Sequence, residues 1–308
     1  MTPALLLALG LASSARSQAP APAPSGWRLV WSDEFDGPDG AAPDPSKWTF
    51  EVGGDGFGNH ELEYYTSRRE NSRLEGGALA IVARRETYSG ALGDDGTYVT
   101  PRLSVQDRLQ SFMGWLGVNP YTSARLTTFG KFAMRYGRAE ARLKIPAGRG
   151  LWPVFWLLGA DIVSKGWPEC GEIDIMENVG HELDTVHGTI HGPGYSGGDS
   201  IGASYVLRRG AFADAYHVFA VEWEPAAVRF SVDGSLYETL TPADVPKGSR
   251  WVFDHPFFVI LNLAVGGDCP GSPDPSLQFP KTLLVDYVRV YERVSAPPAL
   301  TLAPPRFQ

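Results

Sequence analysis

Cysteine is scarce in this chain, with only Cys170 and Cys269 among 308 residues. No cysteine and histidine spacing resembles a zinc site, which sets structural zinc modules aside. Positive charge is also in deficit: 27 Lys and Arg face 35 Asp and Glu, a net charge of −8. That sign disfavours nucleic acid and anionic membranes as partners and suits a neutral polymer. The apolar run Ala4–Ala12 is too short to span a bilayer. Helical periodicity beyond two turns is absent, apart from ambiguous stretches at 106–116 and 211–216.

What the chain has in excess is turn formers. Thirty-five Gly and 25 Pro far exceed the usual combined share of about 12%, as many short strands joined by tight turns require. Val228, Phe230 and Val232 alternate with polar residues, Asp233-Gly234 supplies a turn, and Leu236–Leu240 returns, a hairpin signature. Phe257–Val265 is apolar on both parities, as in a strand buried on both faces. An all-β sandwich or barrel is expected. Ala4–Ala12 reads as a secretory h-region, with cleavage after Ala15 or Ala19. A Pro/Ala linker follows at 20–26, one catalytic-size domain at 27–294, and a Pro-rich flexible tail at 295–308. A secreted or periplasmic monomer is expected. In such a compartment a Cys170–Cys269 disulfide is allowed, and two separate thiols are equally open.

The most informative segment is Glu172-Ile173-Asp174-Ile175-Met176-Glu177, three carboxylates within apolar, β-prone sequence. Alternation puts Glu172 and Asp174 on one face and Ile173 and Ile175 on the other. Glu177 breaks the pattern unless a β-bulge at Met176 or its neighbour absorbs one residue, and then all three acids line one surface. Such a row suits glycoside hydrolysis, in which one carboxylate attacks and one carboxylic acid protonates the leaving oxygen. Crowded acids cannot all ionise, so one pKa is pushed up and that group can act as the acid. A solvated acidic face or a calcium site is the plainer reading.

Trp167-Pro168-Glu169-Cys170-Gly171-Glu172 through Glu177 resembles the active-site strand of glycoside hydrolase family 16, in its laminarinase-like branch. Further matches are Trp31–Phe35, Gly58-Asn59, Tyr64–Thr66, Tyr121–Arg125, Tyr136–Arg138, Leu151–Pro153, Phe155-Trp156 and Asp286–Tyr291. The resemblance implies a β-jelly-roll sandwich of two antiparallel sheets with a concave substrate cleft. It also implies a retaining endo-β-1,3-glucanase, with mixed-linkage β-1,3/1,4-glucan as a further substrate. The bulged E-x-D-x-x-E spacing is typical of that branch. A non-catalytic β-glucan-binding protein, or a hydrolase of agarose or galactan, is the alternative.

By the same resemblance Glu172 is the nucleophile, Asp174 orients and tunes it, and Glu177 is the acid/base, with no cofactor for catalysis. Asn59, Trp152, Trp156, Trp167 and His191 match positions near the sugar. Strand parity adds Arg84, on the face opposite Leu79, Ile81 and Ala83. Asp286 shares the parity of Val288 and Val290 and so is expected to point inward. With Glu34 and the Gly77 carbonyl it resembles the family's structural calcium site, a buried salt bridge being the rival reading. Between Arg85 and Tyr121 lies an insertion, 86–120, whose Tyr98, Phe112, Trp115 and Leu116 suggest a loop folded over one end of the groove.

Overall fold

The computed structural model describes residues 23–89 and 119–294. The secretory segment, the start of the linker, the tail and the core of the insertion, Trp115 included, lie outside the described residues. Two sheets face each other. The seven-stranded sheet runs β12 (Ile201–Val206), β11 (Thr185–His191), β10 (Glu172–Glu177), β9 (Leu151–Gly159), β16 (Phe257–Val265), β7 (Arg125–Thr127) and β2 (Thr49–Glu51). The ten-stranded sheet runs β15 (Ser235–Leu240), β14 (Ala227–Val232), β13 (His217–Glu224), β8 (Gly137–Lys144), β17 (Lys281–Arg293), β5 (Ala78–Tyr88), β6 (Asn119–Ser123) and β3 (Glu63–Tyr65). Two further strands complete it: β1 (Trp27–Asp33) pairs with β17, and β4 (Ser72–Glu75) with β5. Among the described residues the strand pairings are antiparallel, as expected of the jelly-roll sandwich, except for the short parallel pair β3 with β6.

Period-two patterning decides what fills the space between the sheets. Leu79, Ile81, Ala139, Ala141, Val288 and Val290 from one sheet meet Phe155, Leu157, Ile173, Val259, Leu261 and Leu263 from the other in one buried cluster. β16 is buried at all nine positions, as its unbroken apolar run requires. Its other parity, Phe258 and Ile260, joins Val154, Trp156, Leu158 and Cys170 in a second cluster on the far face of the same sheet. The β14–β15 hairpin closes on Asp233 and Gly234, both at positive φ (49° and 79°), the turn whose twist matches that of the strands. The only α-helix among the described residues is the four-residue α1 (Ile162–Lys165). The ambiguous stretch at 211–216 forms turns. No described helix is long and apolar enough to cross a membrane.

One open alternative is decided and two expectations are corrected. Cys170 and Cys269 are free thiols: the first is sealed in the second cluster, the second exposed in the turn after β16. Asp286 does not point inward. The β17–β8 register slips between Val285 and Tyr287, so Asp286 sits part-exposed, with Arg142 Nη1 2.8 Å from its Oδ2. Glu34 accepts two hydrogen bonds from Arg289, at 3.0 and 2.7 Å, and Gly77 only turns β4 into β5 at φ 78°. With each acid already neutralised by its own arginine, the set does not fit a structural calcium ion.

Candidate active site

The geometry of β10 follows from one extra residue. Asp174 pairs with Trp156 on β9 and with Thr189 on β11, after which both registers slip. Met176 then pairs with Phe155, leaving Ile175 without an opposite number on β9. Ile175 and Met176 both enter the core, at 2% and 0% exposure, and Glu177 returns to the face of Glu172 and Asp174, the outcome the bulge was expected to produce.

Each acid is held by named partners. Trp167 Nε1 donates to Glu172 Oε2 at 2.8 Å, and Trp152 Nε1 donates to Glu177 Oε1 at 3.1 Å. Between them, Thr189 Oγ1 lies 2.7 Å from Asp174 Oδ2 and 3.2 Å from Glu177 Oε2. His191 Nε2 is 3.0 Å from Asp174 Oδ2 and 3.9 Å from Glu172 Oε1. The Asp174 carboxylate crowds Glu172 and makes its ionisation more costly.

Burial first, and then the Asp174 charge, pushes Glu172 up to about 8 and Glu177 up to about 7. Burial alone would lower His191, but the Glu172 and Asp174 charges outweigh it and raise the ring to about 10. When the ring is neutral, the backbone N–H of Gly197 donates to His191 Nδ1 at 3.2 Å. The Nε2 proton, aimed at Asp174, is the one the site keeps. Glu172, Asp174 and His191 offer three ligand atoms within 4.8 Å of one another. A metal there would have to displace the proton that the neighbouring carboxylates hold on His191 Nε2.

Trp156 is fixed from behind. Its Nε1 donates to Asn262 Oδ1 at 2.8 Å, and Asn262 donates to the Tyr65 hydroxyl at 3.1 Å, which donates to Glu61 Oε2 at 2.9 Å. Arg125, ion-paired with buried Glu51, lies 4.8 Å from the Trp156 ring centre and 5.0 Å from that of Phe57. Asn59 donates to Glu61 at 3.3 Å, at the outer end of this chain. Of the expected site residues, Trp152, Trp167 and His191 touch the carboxylates directly, and Trp156 and Asn59 join through Asn262, Tyr65 and Glu61. Arg84 stands apart: β5 belongs to the ten-stranded sheet, and its guanidinium lies 3.7 Å from Glu86. Thr189, not among the expected site residues, shares the parity of His191 in Thr-Val-His-Gly-Thr-Ile-His and so lies on the same face.

The chain can be compared with known proteins on this basis. The family model for glycosyl hydrolases family 16 matches residues 95–285. A beta-glucanase of Rhodothermus marinus is 44% identical over 281 residues, covering 87% of this chain and 86% of that protein. A glucan endo-1,3-beta-glucosidase A1 of Niallia circulans is 36% identical over 88% of this chain and 39% of its own length. Among solved structures, the laminarinase catalytic domain of Thermotoga maritima MSB8 superposes with a TM-score of 0.76 at 46% identity, covering 88% of this chain and all of that one. With its sandwich fold and its bulged row of acids, the chain belongs to glycoside hydrolase family 16.

Proposed function

We propose that this protein is a secreted, retaining endo-β-1,3-glucanase acting on laminarin-type glucans, with mixed-linkage β-1,3/1,4-glucan as a second substrate. The observation that carries the reading is the bulge that sets Glu172, Asp174 and Glu177 on one face between two indole N–H donors. Relatives named as glucan endo-1,3-beta-glucosidases, laminarinases and a non-specific endo-β-1,3(4)-glucanase support the substrate class. Export rests on the apolar segment Ala4–Ala12.

The chemistry follows from the contacts. Glu172, aimed by Trp167, passes its proton to the neighbouring Asp174 and attacks the anomeric carbon while the glycosidic C–O bond breaks and Glu177 gives its own proton to the leaving oxygen. Asp174, held by Thr189 and His191, keeps that proton while the glycosyl ester stands. Glu177, now a carboxylate, takes a proton from the incoming water, whose oxygen bonds to the anomeric carbon and returns Glu172 as the free carboxylate. No cofactor enters these steps. A β-glucan-binding protein with the same fold would bind without turnover, so product analysis on laminarin, lichenan, agarose and xylan separates the readings. Internal cleavage of laminarin ahead of the others supports this one, and binding without products overturns it.

A further inference from the structure

Trp167 rides on a loop that leaves β9 at Gly159 and enters β10 at Glu172. How that loop returns depends on His255, a side chain that touches none of the three acids. His255 Nε2 lies 3.1 Å from the Cys170 carbonyl oxygen. A carbonyl only accepts, so Nε2 carries the ring proton. Among the described residues no backbone N–H reaches that carbonyl, and the ring supplies its hydrogen bond. Asp161 Oδ1, just ahead of α1, lies 3.1 Å from the same nitrogen, and Asp254 Oδ1 lies 3.4 Å from Nδ1, so an acid flanks each side of the ring. Phe257, fully buried, packs on it with ring centres 4.8 Å apart.

The chain leaves room for this contact. A Cβ at Gly159 would lie 1.9 Å from the Cys170 oxygen and 2.8 Å from His255 Nε2, so any side chain there would part the two. Backbone bonds carry the position along the loop. The Ala160 N–H donates to the Pro256 carbonyl at 2.8 Å, Gly159 to Gly171 at 3.1 Å, and Cys170 to Gly166 at 2.9 Å. The Cys170 side chain is sealed in the second apolar cluster. Cys170 therefore stands as a fixed point between Trp167 and Glu172.

We propose that His255 is a positioning residue for the nucleophile. By holding the Cys170 carbonyl it sets the spacing between the two ends of the return, so that Trp167 Nε1–H meets Glu172 Oε2 at 2.8 Å. An N–H aimed at that oxygen favours the carboxylate over the acid and fixes its line of attack. A misplacement of about 1 Å is enough to cost about a hundredfold in rate. The inference rests on Glu172 as the nucleophile of the proposed glucanase.

Two measurements test it. In protein labelled with 15N at the indoles, the Trp167 Nε1–H resonance is assigned by its loss in Trp167→Phe. His255→Ala should shift that resonance and speed its exchange with solvent at least tenfold. In kinetics, His255→Ala should lower kcat/KM at least about tenfold on laminarin and by the same factor on a dinitrophenyl β-laminaribioside, whose leaving group needs no acid. His255→Gln, whose amide N–H can reach the same carbonyl, should recover most of the loss. In a Trp167→Phe background, His255→Ala should cost less than a further twofold, because the donor it positions is already gone. Losses of equal size in both backgrounds, or an indole signal unmoved by His255→Ala, would overturn the proposal and leave His255 a packing residue of its turn. If the unaltered protein cleaved neither substrate, the glucanase reading would fall and the catalytic role with it, and an indole signal that still answered to His255→Ala would separate that failure from a failure of the contact.

Discussion

Ile175 and Met176, adjacent in sequence, both turn into the core between the two sheets. Strict alternation would have sent one of them to the cleft and Glu177 to the interior. The cleft's acid therefore owes its position to a packing event on the opposite face of the strand. Glu172→Gln and Glu177→Gln should each lower kcat on laminarin by at least about a thousandfold, with circular dichroism unchanged, because neither side chain packs in the core.

The alkaline limb of activity should report the acid. Burial and the Asp174 charge push Glu177 up to about 7 and Glu172 up to about 8, and the acid must hold its proton to act. Laminarin hydrolysis should fall as pH rises through that window. With a dinitrophenyl glycoside, whose leaving group needs no proton, Glu177→Gln should retain much of its rate and lose that limb. Pre-steady-state rates across the pH range are the measurement.

Stability should carry the opposite signature of the same group. The folded pKa of Glu172, about 8, lies above the ordinary 4.5, so the native state binds the proton more tightly than the unfolded chain. Its contribution is complete below about pH 4.5 and is lost as pH rises through about 8. Glu172→Gln should flatten that decline and raise stability at alkaline pH by on the order of 1–2 kcal/mol, as one pKa unit is worth about 1.4 kcal/mol and the proton is spread over coupled acids. Denaturant midpoints at acid and alkaline pH test this.

The sequence made the carboxylate row legible because alternation has a fixed period and Glu177 visibly broke it. The same device misled at Asp286, where the slip between Val285 and Tyr287 leaves no mark in a run that alternates perfectly well on paper. Arg84 has the parity expected of it, but which sheet a strand joins is set by long-range pairing. Asn262 was invisible for another reason: one polar residue inside Phe257–Val265 reads as a blemish in an apolar strand until Trp156 and Tyr65 are seen on either side of it.

Asn262→Leu should therefore cost more than its size suggests. It strips the Trp156 indole N–H and the Tyr65 hydroxyl of a buried partner, at about 1–3 kcal/mol. With Trp156 no longer held, KM for laminarin should rise more than kcat falls. Thermal melting and steady-state kinetics on one preparation measure both.

Calcium should leave the melting temperature unchanged, because Arg142 and Arg289 already neutralise Asp286 and Glu34. Asp286→Asn, which removes a part-exposed ion pair, should cost no more than about 1 kcal/mol. A rise in melting temperature on adding calcium to chelator-treated protein, abolished in that variant, would show that the arginines give way to the ion.

The role of Glu172 is open to direct chemical test. With Glu172→Ala and an aryl β-glucoside substrate, added azide should restore turnover and yield the α-glycosyl azide, since azide enters the space the carboxylate vacates, on the face opposite the leaving group. The product's anomeric proton coupling in NMR identifies it. The β-azide from this variant would mean that Glu172 is the acid/base and would contradict the account.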